Sequence, residues 1–407
     1  MSQPESPTVA VPGKPIVPKS TALVLSGGGA RGAYEVGVLS YLFGDFARVL
    51  GRKPNIDVIC GTSVGGINGS YLAAHMGDAA RGVRRLVDLW QSLELQQVLH
   101  FSMSQALRLP RVLSGGGEGS GIFDVRPMIN LVTREVSWKA VARSIRRGHL
   151  RALSISTTEI ATGRTSVFVD AHPDMDVPVR LGPRMVAIRG PIGPQHALAS
   201  AAIPLIFPPV RIGSMLYCDG GLRQNTPMAP AIRMGAERIL VIGLSREVHG
   251  LITPEAGVTD VPAPGAPFLL GKVLNAFLLD HVQADLELLG TINSILDDGT
   301  SAYGKDFVER LSSAAVARGV EAYRPVHALS VHPSQDIGRI AGHHVRNGKV
   351  SGPYVMRKLL GLLDSGISDE ADLASYLLFD GAFARRLIDL GRADAEAQRD
   401  QLAAFLA

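Results

Sequence analysis

Cysteine is nearly absent from this chain. The two that occur, Cys60 and Cys218, exclude a disulfide scaffold, and no C-x-x-C spacing for a metal or redox centre exists. Both are expected as reduced thiols in the core. Aromatic residues are scarce at 5%, and charged residues reach only 19%. The 41 basic and 37 acidic side chains leave a formal charge of +4 over 407 residues, too small an excess to argue for nucleic-acid binding. No run of 18 or more apolar residues occurs, so no membrane-spanning helix is expected. No H-E-x-x-H or similar ligand spacing occurs, so no zinc site is expected. No fixed-period repeat is present. The first 20 residues hold five prolines and no apolar run of signal-peptide length, and are expected to be a disordered tail. These absences lead to the expectation of a soluble, cytoplasmic chain that, if it meets lipid, does so peripherally, from the membrane surface.

What is present is an apolar composition of 46%, with 45 glycines and 25 prolines in no periodic arrangement. The run Thr21 to Leu25 is a short apolar strand that breaks at Ser26-Gly27-Gly28-Gly29 and gives way to a helical pattern through Phe43. The same grammar follows at once, with Ile56 to Cys60 a strand, Gly61 to Gly66 a turn and Ile67 to Ala74 a helix. Strand, glycine turn and helix twice in succession predict an α/β fold: three layers, with a mostly parallel central sheet flanked by helices. Ala80 to Leu99 is helical and Ser114 to Gly121 a glycine-dense loop. Further strands are expected at Ala152 to Thr157, Thr165 to Val169, Ile212 to Cys218 and Ile239 to Leu244. These define an α/β core domain over residues 21–245. Residues 246–407 are expected to be a mostly helical extension packed on it. That extension begins with a Pro/Gly-rich linker at Pro254 to Pro267 and a long helix at Phe268 to Leu296. A strand at Val326 to Val331 is expected to rejoin the main sheet, and helical stretches follow at Tyr354 to Leu363 and Asp369 to Leu406.

Three local patterns carry chemistry. Gly61-Thr62-Ser63-Val64-Gly65 fits G-x-S-x-G between a strand and a helix. The sharp turn it specifies lifts a serine oxygen clear of the backbone and tolerates only small residues beside it. Gly27-Gly28-Gly29-Ala30-Arg31-Gly32 satisfies G-x-G-x-x-G, but a dinucleotide loop needs an acidic residue at the end of the next strand. Here that strand runs into the serine turn, and no Lys-Ser or Lys-Thr follows Gly32 to make a phosphate loop. Backbone N–H groups at a glycine-rich helix start suit an oxyanion hole better. Arg31 has three readings: it orients the loop, meets an anionic head group, or is solvated. Asp219-Gly220-Gly221 follows an apolar strand, where α/β sites gather; alone it is a common turn.

Taken together, and in their chain order of glycine block, serine turn and D-G-G, the three patterns resemble the patatin-like phospholipases. The resemblance extends to Ala199-Ser200-Ala201-Ala202-Ile203-Pro204, Phe207-Pro208 and Asn225-Thr226-Pro227, and Ser375 to Asp380 looks like bacterial members. The resemblance implies a Ser–Asp dyad with Ser63 as nucleophile and Asp219 as general base. It implies oxyanion donors at Gly28 and Gly29 with Gly27, and Arg31, Gly32, Gly61, Gly65, Gly220 and Gly221 as supporting motif residues. It also implies a lipid or other acyl-ester substrate, and no cofactor.

A Ser–Asp–His triad is the rival, since His327 or His332 follows Ser63 and Asp219 in the required chain order. A lipid-binding relative without turnover is a second alternative, and a nucleotide-dependent oxidoreductase a third.

Overall fold

The computed structural model describes residues 20–99, 124–204, 206–246, 282–318, 321–347 and 372–406. Its strands are β1 (Thr21–Leu25), β2 (Val58–Thr62), β3 (Ala152–Glu159), β4 (Thr165–Ala171), β5 (Arg180–Gly182), β6 (Met185–Arg189), β7 (Val210–Ile212), β8 (Met215–Asp219), β9 (Arg238–Ile242) and β10 (His327–Val331). They form one sheet in the order β10-β9-β1-β2-β3-β4-β6-β5, with β8 pairing β3 and β7 off that path. From β10 through β3 every pairing is parallel. Beyond β3 the sheet becomes mixed, because β4 and β8 both run antiparallel to it. The strand near Val326 rejoins the sheet, as its apolar run suggested.

The helices that matter to the site are α1 (Ala33–Phe43), α2 (Val64–His75), α3 (Ala79–Gln91), α4 (Arg126–Glu135), α5 (Pro194–Ser200), α6 (Val282–Tyr303), α7 (Ile337–Arg346), α8 (Asp372–Leu377) and α9 (Gly381–Ala397). Period-two alternation along the central strands makes the three layers. Leu23, Leu25, Ile59, Leu153, Leu240 and Ile242 enter one apolar cluster, with the side chains of α1, α2, α3 and α9. Ala22, Val24, Val58, Cys60, Ile239 and Val241 enter another on the opposite face, where Leu286 and Leu289 of α6 pack. Strands buried on both faces need apolar residues at every position, which is why TALVL and RILVI show no polar alternation.

Three local expectations change. β2 starts at Val58 and runs on through Gly61 and Thr62, because both pair with β3, at Ile155 and Ser156. The turn thereby contracts to Ser63, and α2 begins at Val64. The single strand expected over Ile212 to Cys218 is a hairpin of β7 and β8, broken at Gly213 with φ +60°. The Ala80 to Leu99 helix ends at Gln91, and a short helix, Leu95–Val98, follows. The Ser114 to Gly121 loop, the Pro254 to Pro267 linker and the Tyr354 to Leu363 helix lie outside the described residues. So does the first part of the Phe268 to Leu296 helix. Cys60 and Cys218 are buried free thiols. Among the described residues, no helix is long and apolar enough to cross a membrane, and no cluster of three potential metal ligands occurs.

The C-terminal helices are integral to the apolar core. Phe383, Leu387 and Ile388 of α9 are buried in the same cluster as α1. Tyr34 Oη on α1 donates to Asp394 Oδ2 on α9 at 3.1 Å.

Candidate active site

Two strand ends build the centre. At the end of β2, Ser63 adopts φ 53° and ψ −125° and is the only non-glycine residue with positive φ among those described. A conformation this sparsely populated costs about 1–3 kcal/mol and persists only where the surroundings impose it. The surroundings here are tight. A Cβ on Gly65 would lie 2.4 Å from the Leu25 carbonyl oxygen, and one on Gly61 2.5 Å from the Gly65 carbonyl oxygen, so both positions exclude alanine. The Ser63 carbonyl accepts from Ile67 N at 3.2 Å as α2 begins, directing the helix's positive end at the serine.

At the end of β8, Asp219 is fully buried. Ser63 Oγ donates to Asp219 Oδ2 at 2.7 Å, and Gly221 N donates to Asp219 Oδ1 at 2.7 Å. The Asp219 backbone is held on both sides: its N–H donates to Ala202 O and its carbonyl accepts from Thr158 Oγ1, each at 2.9 Å. Burial pushes the carboxyl up to about 7, against the opposing pull of the Gly221 and Ser63 donors on the anion.

The glycine loop lies beside this pair. Gly27 N–H donates to Asn225 O at 3.1 Å, and Asn225 Nδ2 donates back to Gly27 O at 3.0 Å. That engagement corrects the expectation for Gly27, whose amide is consumed by holding the loop. Gly28 and Gly29 precede or open a short 3₁₀ turn, Gly29–Gly32, and among the described residues no acceptor takes their N–H groups. The Gly32 carbonyl accepts from Asn68 Nδ2 at 3.1 Å. Arg31 is buried, so a solvated side chain is excluded.

The rival triad finds no support in the topology. β10 lies three strands from β2, roughly 14 Å at the usual inter-strand spacing. His327 stands at the opposite end of β10, in register with Arg238, and His332 follows the other end of that edge strand.

A cavity of about 160 Å³ opens beside Ser63 and Gly29, walled by Ile67, Leu86, Trp90, Met128, Phe207 and Phe379 among others. A serine hydroxyl bonded to a carboxylate, backbone amides without an acceptor among the described residues and an apolar chamber together suit acyl transfer from an apolar acyl group.

A family model for patatin-like phospholipases matches residues 23–232, just over half of the chain (210 of 407 residues). The chain belongs to the patatin-like phospholipase family. It is 28% identical over 230 residues to a cGAMP-activated phospholipase of Pseudomonas aeruginosa (strain BWHPSA011 / Pa011), covering 52% of this chain and 55% of that protein. It is 26% identical over 230 residues to an NTE family protein of Mycobacterium tuberculosis (strain ATCC 25618 / H37Rv), covering 56% of this chain and 50% of the relative. The chain thus spans about half the length of these curated relatives. Among solved structures, human GIVD cytosolic phospholipase A2 is similar with a TM-score of 0.44 and 9% identity, over 95% of this chain and 62% of that one. VipD from Legionella pneumophila is similar with a TM-score of 0.32 and 14% identity, over 91% and 67%.

Within this patatin-like site, sequence reasoning left Ser200 without a role. Ser200 Oγ accepts from Ser63 N at 2.7 Å and donates to Ser156 O at 2.6 Å, bracing the strained serine against β3. Its signal was the Ala199 to Pro204 string, which carries no chemistry of its own until the chain folds. Glu35 and Asn68 were also missed, for they occupy ordinary helical positions. Asn68 Nδ2 donates to Glu35 Oε2 at 2.8 Å, Trp90 Nε1 donates to Asn68 Oδ1 at 3.1 Å, and burial raises the Glu35 carboxyl well above its usual range. Ser200→Ala should strand the Ser63 N–H and the Ser156 carbonyl. The expected loss is about 1–3 kcal/mol of stability, read as a lower urea midpoint at constant m. An unchanged midpoint would mean that the brace carries no strain.

Proposed function

We propose that this chain is a serine-dependent lipid acyl hydrolase. Ser63 Oγ attacks the carbonyl carbon of an ester while Asp219 takes its proton. The negative charge that develops on the carbonyl oxygen meets the N–H groups of Gly28 and Gly29. Each such donor typically contributes about 2.7–4 kcal/mol to the transition state. The protonated Asp219 then gives its proton to the leaving alcohol, and the acyl group stays on Ser63. Water, activated by the same carboxylate, releases the fatty acid and restores the hydroxyl. No metal or organic cofactor enters these steps.

The observation that carries this reading is the 2.7 Å Ser63–Asp219 hydrogen bond at a strained turn, opening on an apolar chamber. A carboxyl held near 7 suits a base that must both accept and return a proton at neutral pH. Residues 21–245 are assigned the nucleophile, base and glycine loop, and the later helices close the chamber. The substrate is a lipid or a simpler acyl ester, met at a membrane surface or in solution.

The test is a panel of p-nitrophenyl esters of several chain lengths beside defined phospholipids, run on wild type and Ser63→Ala. The expected result is turnover by wild type and none by the variant. A wild type that binds lipid vesicles but hydrolyses nothing would replace the enzyme with a binding module.

A further inference from the structure

We propose that residues 372–380 are a working part of the active site, and that Arg31 is the positioning residue that locks the oxyanion loop onto them. The inference rests on the hydrolase reading above. Arg31 is only 5% exposed, and its Nε donates to Ser375 Oγ at 2.7 Å. Its guanidinium carbon lies 4.2 Å from the centre of the Tyr376 ring, a cation–π distance. The loop and the segment also touch through their backbones. A Cβ on Gly29 would fall 2.3 Å from the Tyr376 carbonyl oxygen, and Gly29 holds φ +56°, so only glycine fits there.

The segment is fixed at its far end and faces the chamber through Tyr376 and Phe379. Asp380 Oδ1 accepts from Ala382 N and Phe383 N, capping α9, and lies 3.2 Å from His344 Nε2 on α7. Tyr376 and Phe379 line the cavity, where the Phe379 ring stacks on Trp90 at 6.3 Å between centroids. The glycine loop is therefore gripped twice. Asn225 holds Gly27 from one side, and Arg31 with Tyr376 holds Gly29 from the other. The two amides between these grips are the ones left without an acceptor among the described residues, and their aim decides how well they stabilise an oxyanion.

An arginine that positions the loop and one that binds a head group differ in kinetics. The experiment compares wild type, Arg31→Met and Ser375→Ala on p-nitrophenyl butyrate and on phosphatidylglycerol vesicles, with fluorophosphonate labelling rates and thermal unfolding alongside. As a positioning residue, Arg31→Met lowers kcat by roughly 10- to 100-fold on both substrates, with KM within about twofold. Labelling slows in parallel, and Ser375→Ala follows in the same direction by less. Ser375→Ala removes one hydroxyl, so it gives the kcat and KM split even if Arg31→Met fails to fold. A KM increase confined to the anionic vesicles would assign Arg31 to head-group binding and overturn the proposal. Full activity in both variants would also overturn it, while leaving the Ser63 chemistry standing. A wild type inert on both substrates would sink the hydrolase reading and this inference together.

Discussion

Asp219→Asn should reduce ester hydrolysis by roughly 10⁴- to 10⁶-fold, as Ser63→Ala should, the range seen when a serine hydrolase loses its base or nucleophile. The substitution keeps the shape of the site. The carbonyl of the introduced amide can accept from Gly221 N as Asp219 Oδ1 does now, and its NH₂ group can donate to Ser63 Oγ, reversing the present bond. What disappears is the capacity to take a proton. In a dyad no second base stands by, so the loss is not shared out. His327→Ala and His332→Ala should retain most of the activity. A large loss in either histidine variant with folding intact would restore the triad.

The same substitution should stabilise the folded protein at alkaline pH. The folded Asp219 carboxyl sits near 7, whereas an unfolded aspartate titrates at about 3.9. Below about 3.9 the group is neutral in both states and has no effect on the balance. As pH rises, the unfolded chain ionises first and binds fewer protons than the native one, so stability falls until the folded group ionises near 7. Above that the cost levels off, on the order of 4 kcal/mol for about three pKa units in a fully buried group. The amide of the Asp219→Asn variant cannot ionise and escapes this cost. The variant's melting temperature should exceed that of wild type clearly at pH 8, with the gap closing as pH falls towards 4. A gap that widens on acidification would mean a depressed carboxyl and a different electrostatic environment. In activity, the same group should give kcat/KM a rising limb with a midpoint near 7, since only the anion serves as base. A profile flat from pH 5 upwards would remove Asp219 from that role.

The parts of the site legible in sequence are those that one loop encodes by itself. Ser63 between glycines, Asp219 before glycines and the Gly27 to Gly32 block each specify a local backbone shape, and that shape survives folding. What stayed hidden depends on distant partners. The Gly27 amide looks as free as that of Gly28 until Asn225, 198 positions away, takes it. Arg31 had three open readings because its partner Ser375 lies 344 positions on. Apolar periodicity gave the central strands β1 and β9 closely, since strands buried on both faces need little else. It missed the Gly213 break between β7 and β8, because apolar residues flank that turn on both sides. It could not foresee that β4 and β8 run antiparallel to β3, which is set by pairing rather than by composition.

The most direct test of the dyad is fluorophosphonate labelling followed by peptide mass spectrometry, on wild type and Asp219→Asn at pH 8. The expected result is one adduct on Ser63 in wild type and labelling slower by orders of magnitude in the variant. An adduct on another residue, or a variant labelled as fast as wild type, would contradict it.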